Sequence, residues 1–451
     1  MTGYPRLLFV TPHAFNHVMG GGITFTNLFQ GWPKDRLACV HSDSVPTSDD
    51  VCTQYYRLGP AELDIAGPLQ LARRIVRGNA SLGVGAAEPA GPAAGDEGHG
   101  KSGGGLLRFV QRAALGSSPP LSARLTPALE TWIARFRPEI LFTLLGSNGM
   151  MDLVERIRHR FALPLVPHIM DDWPSAAYRD GLIGPWERWR MRRWLNHFFA
   201  VATVRLGIGT AMCAAFGERY GRPFIPFQNT LDVARWAVTA KTDLTTGRPA
   251  RLLYVGSVFA NAQLQSLIDC AVAVRNLNRA GLPVHLSIAS PGFLVQPYRD
   301  RIEIDPTVTI EPPITDDTAF FARLAAADAL LLPANFDADS IRMIRYSMPT
   351  KVPAYLVSGT PVLVYGPTDV AQVGYARDRA WGHVVSQRDP TTLQEGIRRI
   401  LGDTGLRARL SQTARAVAAA EHDAEQVRRR FQRVLCEAAA GNAGCPKEAA
   451  A

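Results

Sequence analysis

The sequence predicts an α/β protein with two parallel sheets. Short apolar runs alternate with segments of helical period, and that alternation calls for crossover connections between parallel strands. The alternation restarts at Arg251 after a polar, breaker-rich stretch, so a second sheet follows the first. A chain of 451 residues, 47% apolar and 20% charged, also exceeds what one compact core holds.

In the first domain the predicted strands are "RLLFVTP", "LACVHSD", "EILFTLLG", "LPLVPHIMDD", "VRLGIGT" and "PFIPFQN". Helical patterns such as "LTPALETWIARFR" and "GMMDLVERIRHRF" separate them. The second domain repeats the scheme through "RLLYVGS", "PVHLSIAS", "VTIEPPI", "ALLLPAN", "PVLVYGP" and "GHVVSQ". The expected boundaries are 1–235 for the first domain, 236–250 for a linker containing "KTDLTTGRPA", and 251–402 for the second domain. A helical segment follows at 403–440 with a break near His422, then a disordered tail at 441–451. Residues 77–105, rich in Gly, Ala and Pro, lack the large apolar side chains that would offset the entropy of ordering, and read as a disordered insertion in the first domain.

Composition narrows the functional classes. Six cysteines without a C-x-x-C pair argue against a disulfide framework or a zinc site and favour a reducing cytoplasm. The apolar run near the N-terminus is too short for a signal peptide, and no window reaches the length of a membrane span. A net charge of +9 and a pI near 9.4 favour acidic ligands or an anionic membrane face. The basic residues are dispersed and form no familiar nucleic-acid module, so nucleic acid is not an expected partner.

Ligands of open parallel sheets bind at the carboxyl ends of the strands, which directs attention to three stretches. After the first strand, Gly20, Gly21 and Gly22 precede the helix-like "ITFTNLFQGW" and permit close backbone approach by a phosphate or sugar; a plain turn is the competing reading. In "PHIMDDWPSAAY", His168, Asp171 and Asp172 emerge together where they could bond sugar hydroxyls or act as a base, although Asp172 suits a helix cap equally well and Trp173 suits simple packing. In "SMPTKVPAYLVSGTP", Pro353 fits only near a helix start, so Thr350, Lys351 and Val352 are expected to offer free amides beside an ammonium. Arg342 and Arg345 stand just upstream. The cluster reads as an anion site of diphosphate size; a solvated surface lysine is the alternative.

"RLLYVGSVFAN", "FGERYGRPFIPFQNTLD" and above all "YSMPTKVPAYLVSGTPVLVYGP" resemble the nucleotide-sugar glycosyltransferases of GT-B fold, specifically the family 4-like enzymes of bacterial polysaccharide assembly. The resemblance implies two Rossmann-like domains facing a cleft, the first for acceptor and the second for donor, with the last helix crossing back to the first domain. It implies transfer from a nucleotide-diphosphate-sugar to a glycan or lipid-linked acceptor, retention of configuration, and neither metal nor cofactor. Gly256, Ser257, Arg345, Ser347, Thr350, Lys351 and Val352 would then hold the donor diphosphate. His168 would contact the donor sugar, with Gly20, Gly21 and Gly22 letting it approach. In an inverting variant, Asp171 or His13 would be the base. Two departures stand out. No cation follows the first strand of the second domain, and the family's paired glutamates fall at Tyr346 and Ala354, leaving Asp337 or Asp339 as weak substitutes for ribose recognition. These departures keep a non-catalytic binding subunit in view, and the shared architecture keeps a nucleotide-sugar epimerase in view.

Finally, "GPWERWRMRRWLNHFF" mixes tryptophan and arginine as interfacial helices do, while its place between two strands also demands an ordinary packing helix. A cytoplasmic protein with peripheral contact at the inner face of the membrane is the localisation these features allow.

Overall fold

A computed structural model describes residues 3–18, 20–65 and 121–441. The insertion expected at 77–105 and the tail from 442 onward lie outside the described residues. The chain divides into two compact units, Met1–Phe227 with Arg428–Ala451, and Gln228–Val427.

The first unit contains β1 (Leu7–Thr11), β2 (Leu37–His41), β3 (Gln54–Arg57), β4 (Leu63–Ile65), β5 (Leu121–Ala123), β6 (Ile140–Leu144), β7 (Leu165–Ile169), β8 (Leu206–Gly207) and β9 (Ile225–Pro226). Seven of these form one sheet in the order β3-β2-β1-β6-β7-β8-β9, with every neighbouring pair parallel. All six strands expected from the sequence are present. β3 was not anticipated, because an edge strand that stays half-exposed needs no continuous apolar run. β4 and β5 form a separate antiparallel pair. The core is aromatic: Phe9, at the centre of β1, meets Phe15, Phe25, Phe29 and Phe142 with ring centroids 5.0 to 6.1 Å apart. Phe431, from the returning C-terminal stretch, packs on Phe29, Phe142 and Phe227.

The second unit holds β10 (Ala250–Val255), β11 (Val284–Ala289), β12 (Val308–Glu311), β13 (Ala329–Pro333), β14 (Val362–Tyr365) and β15 (Gly382–Val385). They form an all-parallel sheet in the order β12-β11-β10-β13-β14-β15. Residues 236–250 are bound to this unit. The Lys241 amide donates to the Ser358 carbonyl at 2.7 Å, and the Thr246 hydroxyl to the Leu401 carbonyl at 2.6 Å. Arg407, fully buried, donates to the carbonyls of Leu244, Asp328 and Ile400, three acceptors that helix or sheet ladders would otherwise leave open. The helices Thr404–Glu421 and Ala424–Ala439 meet at His422, whose carbonyl accepts from the Leu231 amide and the Thr230 hydroxyl, so the break expected there is fixed by specific bonds.

In each sheet the strand order reverses direction at one place, between β1 and β6 in the first unit and between β10 and β13 in the second. The crevice outside the carboxyl ends of such strands is where open α/β sheets bind ligands.

Candidate functional site

In the second unit, Lys351 comes to the end of β10. Its Nζ lies 3.8 Å from the centroid of the Tyr254 ring, a cation held over an aromatic face. Tyr254 is fully buried, and its hydroxyl donates to the Ser257 carbonyl at 2.5 Å, which fixes the ring beneath the ammonium and curls the loop after β10. Gly256 adopts φ +127°, and a Cβ placed there would stand 2.7 Å from the Lys351 Nζ. Among the described residues no carboxylate pairs with Lys351. Burial lowers its pKa from the usual lysine range to about 7. An ammonium that is desolvated, uncompensated and stacked on a ring is arranged to receive an anion.

The neighbouring loops are firmly held. Asn335, fully buried just beyond β13, accepts from the Ser266 amide and donates through its side chain to the Ala260 carbonyl, while its own amide bonds the Ala262 carbonyl. One side chain thus ties the β10 loop to the end of β13. Asn229 donates to the Thr350 carbonyl at 2.7 Å, fixing the turn that carries Lys351. The short helix Val352–Val357 starts where Pro353 predicts.

Three expectations for this loop change. The Val352 amide is not free: it donates to the Pro349 carbonyl at 3.1 Å, closing the tight turn that precedes the helix, and its side chain is fully buried. Arg345 pairs with Asp369 at 3.2 Å and its carbonyl accepts from the Ala371 amide, so its charge is shared with a carboxylate. The Ser347 amide is committed to the Ile344 carbonyl. Asp337 caps the helix Ala338–Ile344 through the Ser340 amide, and Asp339 pairs with Arg342, so both carboxylates considered for the ribose have local partners.

In the first unit the structure separates the residues that the sequence placed together. His168 is 1% exposed and lies edge-on to Phe25 and Phe142 in the aromatic core. Burial lowers its pKa to about 3, outweighing the opposing effect of the Gly207 and Phe227 backbone, so the imidazole is neutral and sits as a core side chain. Asp172 is buried and receives both Arg219 nitrogens at 2.8 Å together with the Ser175 hydroxyl. It is a structural carboxylate. Asp171, half-buried beside it, remains on the loop after β7. The three glycines do not precede their helix: they are its first turn, Gly20–Phe29. A Cβ on Gly22 would run into the Asn16 side chain and reach within 2.7 Å of the Ala14 carbonyl, whereas one on Gly21 would meet only His13 and Met170 at ordinary contact distances, 3.7 and 3.8 Å. Gly22 therefore serves packing, and Gly21 faces His13. That histidine follows β1 at the strand-order reversal, and its Nδ1 lies 3.7 Å from Oδ2 of the buried Asp43.

Sequence reasoning passed over Tyr254, Asn335 and Asp43. Tyr254 carried a usable signal, an aromatic residue two places before the glycine that ends the strand. Asn335 and Asp43 carried none, because their partners are remote in sequence or lie on another strand.

No protein-family model matches the chain, and no curated protein is detectably similar to it in sequence. Solved structures do resemble it. HepE of Anabaena (Alr3699), solved in complex with UDP, superposes with a TM-score of 0.60 at 11% identity over 95% of this chain and 99% of that one. Sucrose-phosphate synthase (tll1590) from Thermosynechococcus elongatus gives a TM-score of 0.59 at 14% identity, over 95% and 98% of the two chains. WaaG, a glycosyltransferase involved in lipopolysaccharide biosynthesis, gives 0.57 at 12% identity, over 95% and 99%. At this level of identity the likeness establishes the fold: the chain is GT-B, with a parallel sheet in each unit.

Proposed function

We propose that the protein transfers a glycosyl group from a nucleoside-diphosphate sugar to a glycan or lipid-linked acceptor, with the donor diphosphate bound at Lys351. The observation that carries this reading is the Lys351 ammonium, desolvated over Tyr254 with no counter-ion among the described residues, at the strand-order reversal of the second sheet. The GT-B fold supports it, as does the presence of UDP or UDP-glucose in solved complexes of HepE.

In this reading the bond between the sugar's anomeric carbon and the diphosphate breaks, and the departing diphosphate keeps the electron pair. Lys351 meets the charge that develops there, the kind of preorganised electrostatic stabilisation that dominates many active sites. The acceptor hydroxyl forms the new bond on the same face and yields its proton to the diphosphate oxygen, so configuration is retained without a metal ion or a protein base. Thr350 and the loop of Gly256 and Ser257 frame the phosphates. Gly21 and Asp171 are the remaining sugar-side candidates in the first unit. The acceptor chemistry of cell-surface polysaccharide assembly fits this scheme, in the cytoplasm at the inner face of the membrane. Among the described residues no helix is long and apolar enough to cross a membrane.

A binding subunit without turnover is favoured by one observation: Ala354, in place of an acid, is buried and Tyr346 is not acidic, so the usual carboxylates of such sites are missing. Titration with UDP, GDP, dTDP and ADP followed by assay of the matching sugar nucleotides separates the readings. Nucleotide binding with slow release of free sugar supports the transferase. Binding with no sugar release under any condition supports the subunit, interconversion of free donors would indicate an epimerase, and no binding to any nucleotide removes the proposal.

A further inference from the structure

The helix Gly184–Val201 connects β7 to β8 and is anchored on one side only. Its single acid, Glu187, is fully buried, where it accepts from Arg190 at 2.8 Å and from the Asn148 side chain. Met191, Leu195, Phe198 and Phe199 complete the inward face. That accounts for packing the helix on its sheet and leaves the other face unexplained.

The outward face is made of Trp186, Trp189, Arg192 and Arg193, with Leu182 on the turn just before it. Trp186 is 56% exposed, Trp189 51% and Leu182 84%. Large apolar side chains in water are unremarkable singly, but four of the five strongly exposed ones in the described first unit (Leu182, Trp186, Trp189 and Val201) fall on this one segment, with Val18 the exception. The cations are placed with them. The Arg190 guanidinium stands 4.6 Å above the Trp186 ring and that of Arg193 stands 4.8 Å above Trp189. Each arginine thus stacks on an indole; Arg190 is also paired inward with Glu187, whereas Arg192 and Arg193 are exposed and no exposed carboxylate occurs on the helix to neutralise them.

We infer that this face docks on the surface of a bilayer carrying anionic lipid. The indoles enter the headgroup boundary, where rings with one apolar face and one polar N–H are most stable, and the exposed Arg192 and Arg193 meet the lipid phosphates. Charge complementarity decides the occupant. A second copy of the same face would set arginine against arginine, whereas an anionic membrane pairs Arg192 and Arg193. The inference deepens the membrane contact proposed above and rests on residues of the first unit rather than on Lys351, so each can fail without the other.

Sedimentation of the full-length protein with phosphatidylcholine vesicles, with and without phosphatidylglycerol, tests it. The expected result is binding that requires phosphatidylglycerol and weakens with added salt. Because the altered side chains are exposed, the Trp186→Ala/Trp189→Ala and Arg192→Glu/Arg193→Glu proteins should keep their melting temperature and UDP affinity, yet lose vesicle partitioning by tenfold or more. Equal binding by wild type and both variants, no binding by wild type, or equal binding to neutral vesicles overturns the inference. So does a wild-type dimer in ultracentrifugation that the Trp186→Ala/Trp189→Ala change dissociates, with no vesicle binding, since the face would then belong to a second copy.

Discussion

Gly256 and Lys351 are in contact across the end of β10, close enough that a single added methyl group at Gly256 would stand 3.0 Å from the lysine Cε and nearer still to its Nζ. The glycine therefore does two things at once: it adopts a φ of +127° that other residues resist, and it leaves the space in which the ammonium sits on Tyr254. Gly256→Ala should lower nucleoside diphosphate affinity at least tenfold by displacing the ammonium. It should also cost about 1 to 3 kcal/mol of folding stability through backbone strain. Urea denaturation and calorimetric titration measure the two effects separately. Full affinity in a stable Gly256→Ala protein would detach Lys351 from the ligand.

Lys351→Ala removes the charge and leaves the backbone alone. A hydrogen bond to a charged group contributes roughly 1.5 to 3 kcal/mol, so UDP should bind about tenfold to somewhat over a hundredfold more weakly. Uridine, having no diphosphate, should bind as before. Lys351→Arg restores charge but brings a planar fork too bulky for the space that Gly256 leaves, and partial recovery at most is expected. Equal losses for uridine and UDP would place Lys351 elsewhere than at the phosphates.

The same burial sets a pH dependence. With its folded pKa lowered to about 7, Lys351 is largely neutral in the unliganded protein above that pH, whereas the unfolded chain keeps the ordinary lysine pKa. Between about pH 7 and the normal lysine range the unfolded state binds the extra proton, so this residue's contribution makes stability rise with pH and carries its full penalty below pH 7. Ligand binding runs the other way. A diphosphate favours the protonated amine, so UDP binding takes up a proton above pH 7 and weakens as pH rises from there. Titrations from pH 6 to 9 in buffers of different ionisation enthalpy should show this uptake in wild type and lose it in Lys351→Met, while phosphate ionisation remains common to both.

Most of the fold was legible because parallel strands buried on both faces are written as continuous apolar runs, as in "LLFVT" of β1 and "ALLLP" of β13. β3 was not, since "QYYR" is a half-exposed edge strand without such a run. At the site, Lys351 was legible from Pro353, whose helix-start preference is local. Its seat on Tyr254 was not, because 97 residues of chain separate the two and only the sheet order brings them together. His168 shows the opposite failure. A histidine next to two aspartates at a strand end suggests chemistry, but strand alternation turns its ring into the aromatic core and leaves Asp171 to the loop.

Gly21 and Gly22 separate packing from ligand access, and neighbouring substitutions can read the difference. Both lie in the first turn of a helix, where alanine is intrinsically favoured over glycine by about 1 kcal/mol. At Gly22 that gain is outweighed, because a Cβ collides with the buried Asn16 side chain, which is itself bonded to the Ala14 carbonyl and the Val18 amide. Gly22→Ala should therefore destabilise the first unit by about 1 to 3 kcal/mol, the usual cost of overpacking. Gly21→Ala meets only ordinary contacts with His13 and Met170 and should leave the melting temperature unchanged or slightly raised. Gly21→Val, which extends a branched side chain beside His13, should keep the fold and depress turnover with the matching sugar nucleotide. If instead Gly21→Val unfolds the protein while Gly22→Ala is silent, the roles of the two glycines are reversed, and Gly21 belongs to the packing of the loop that carries Asn16.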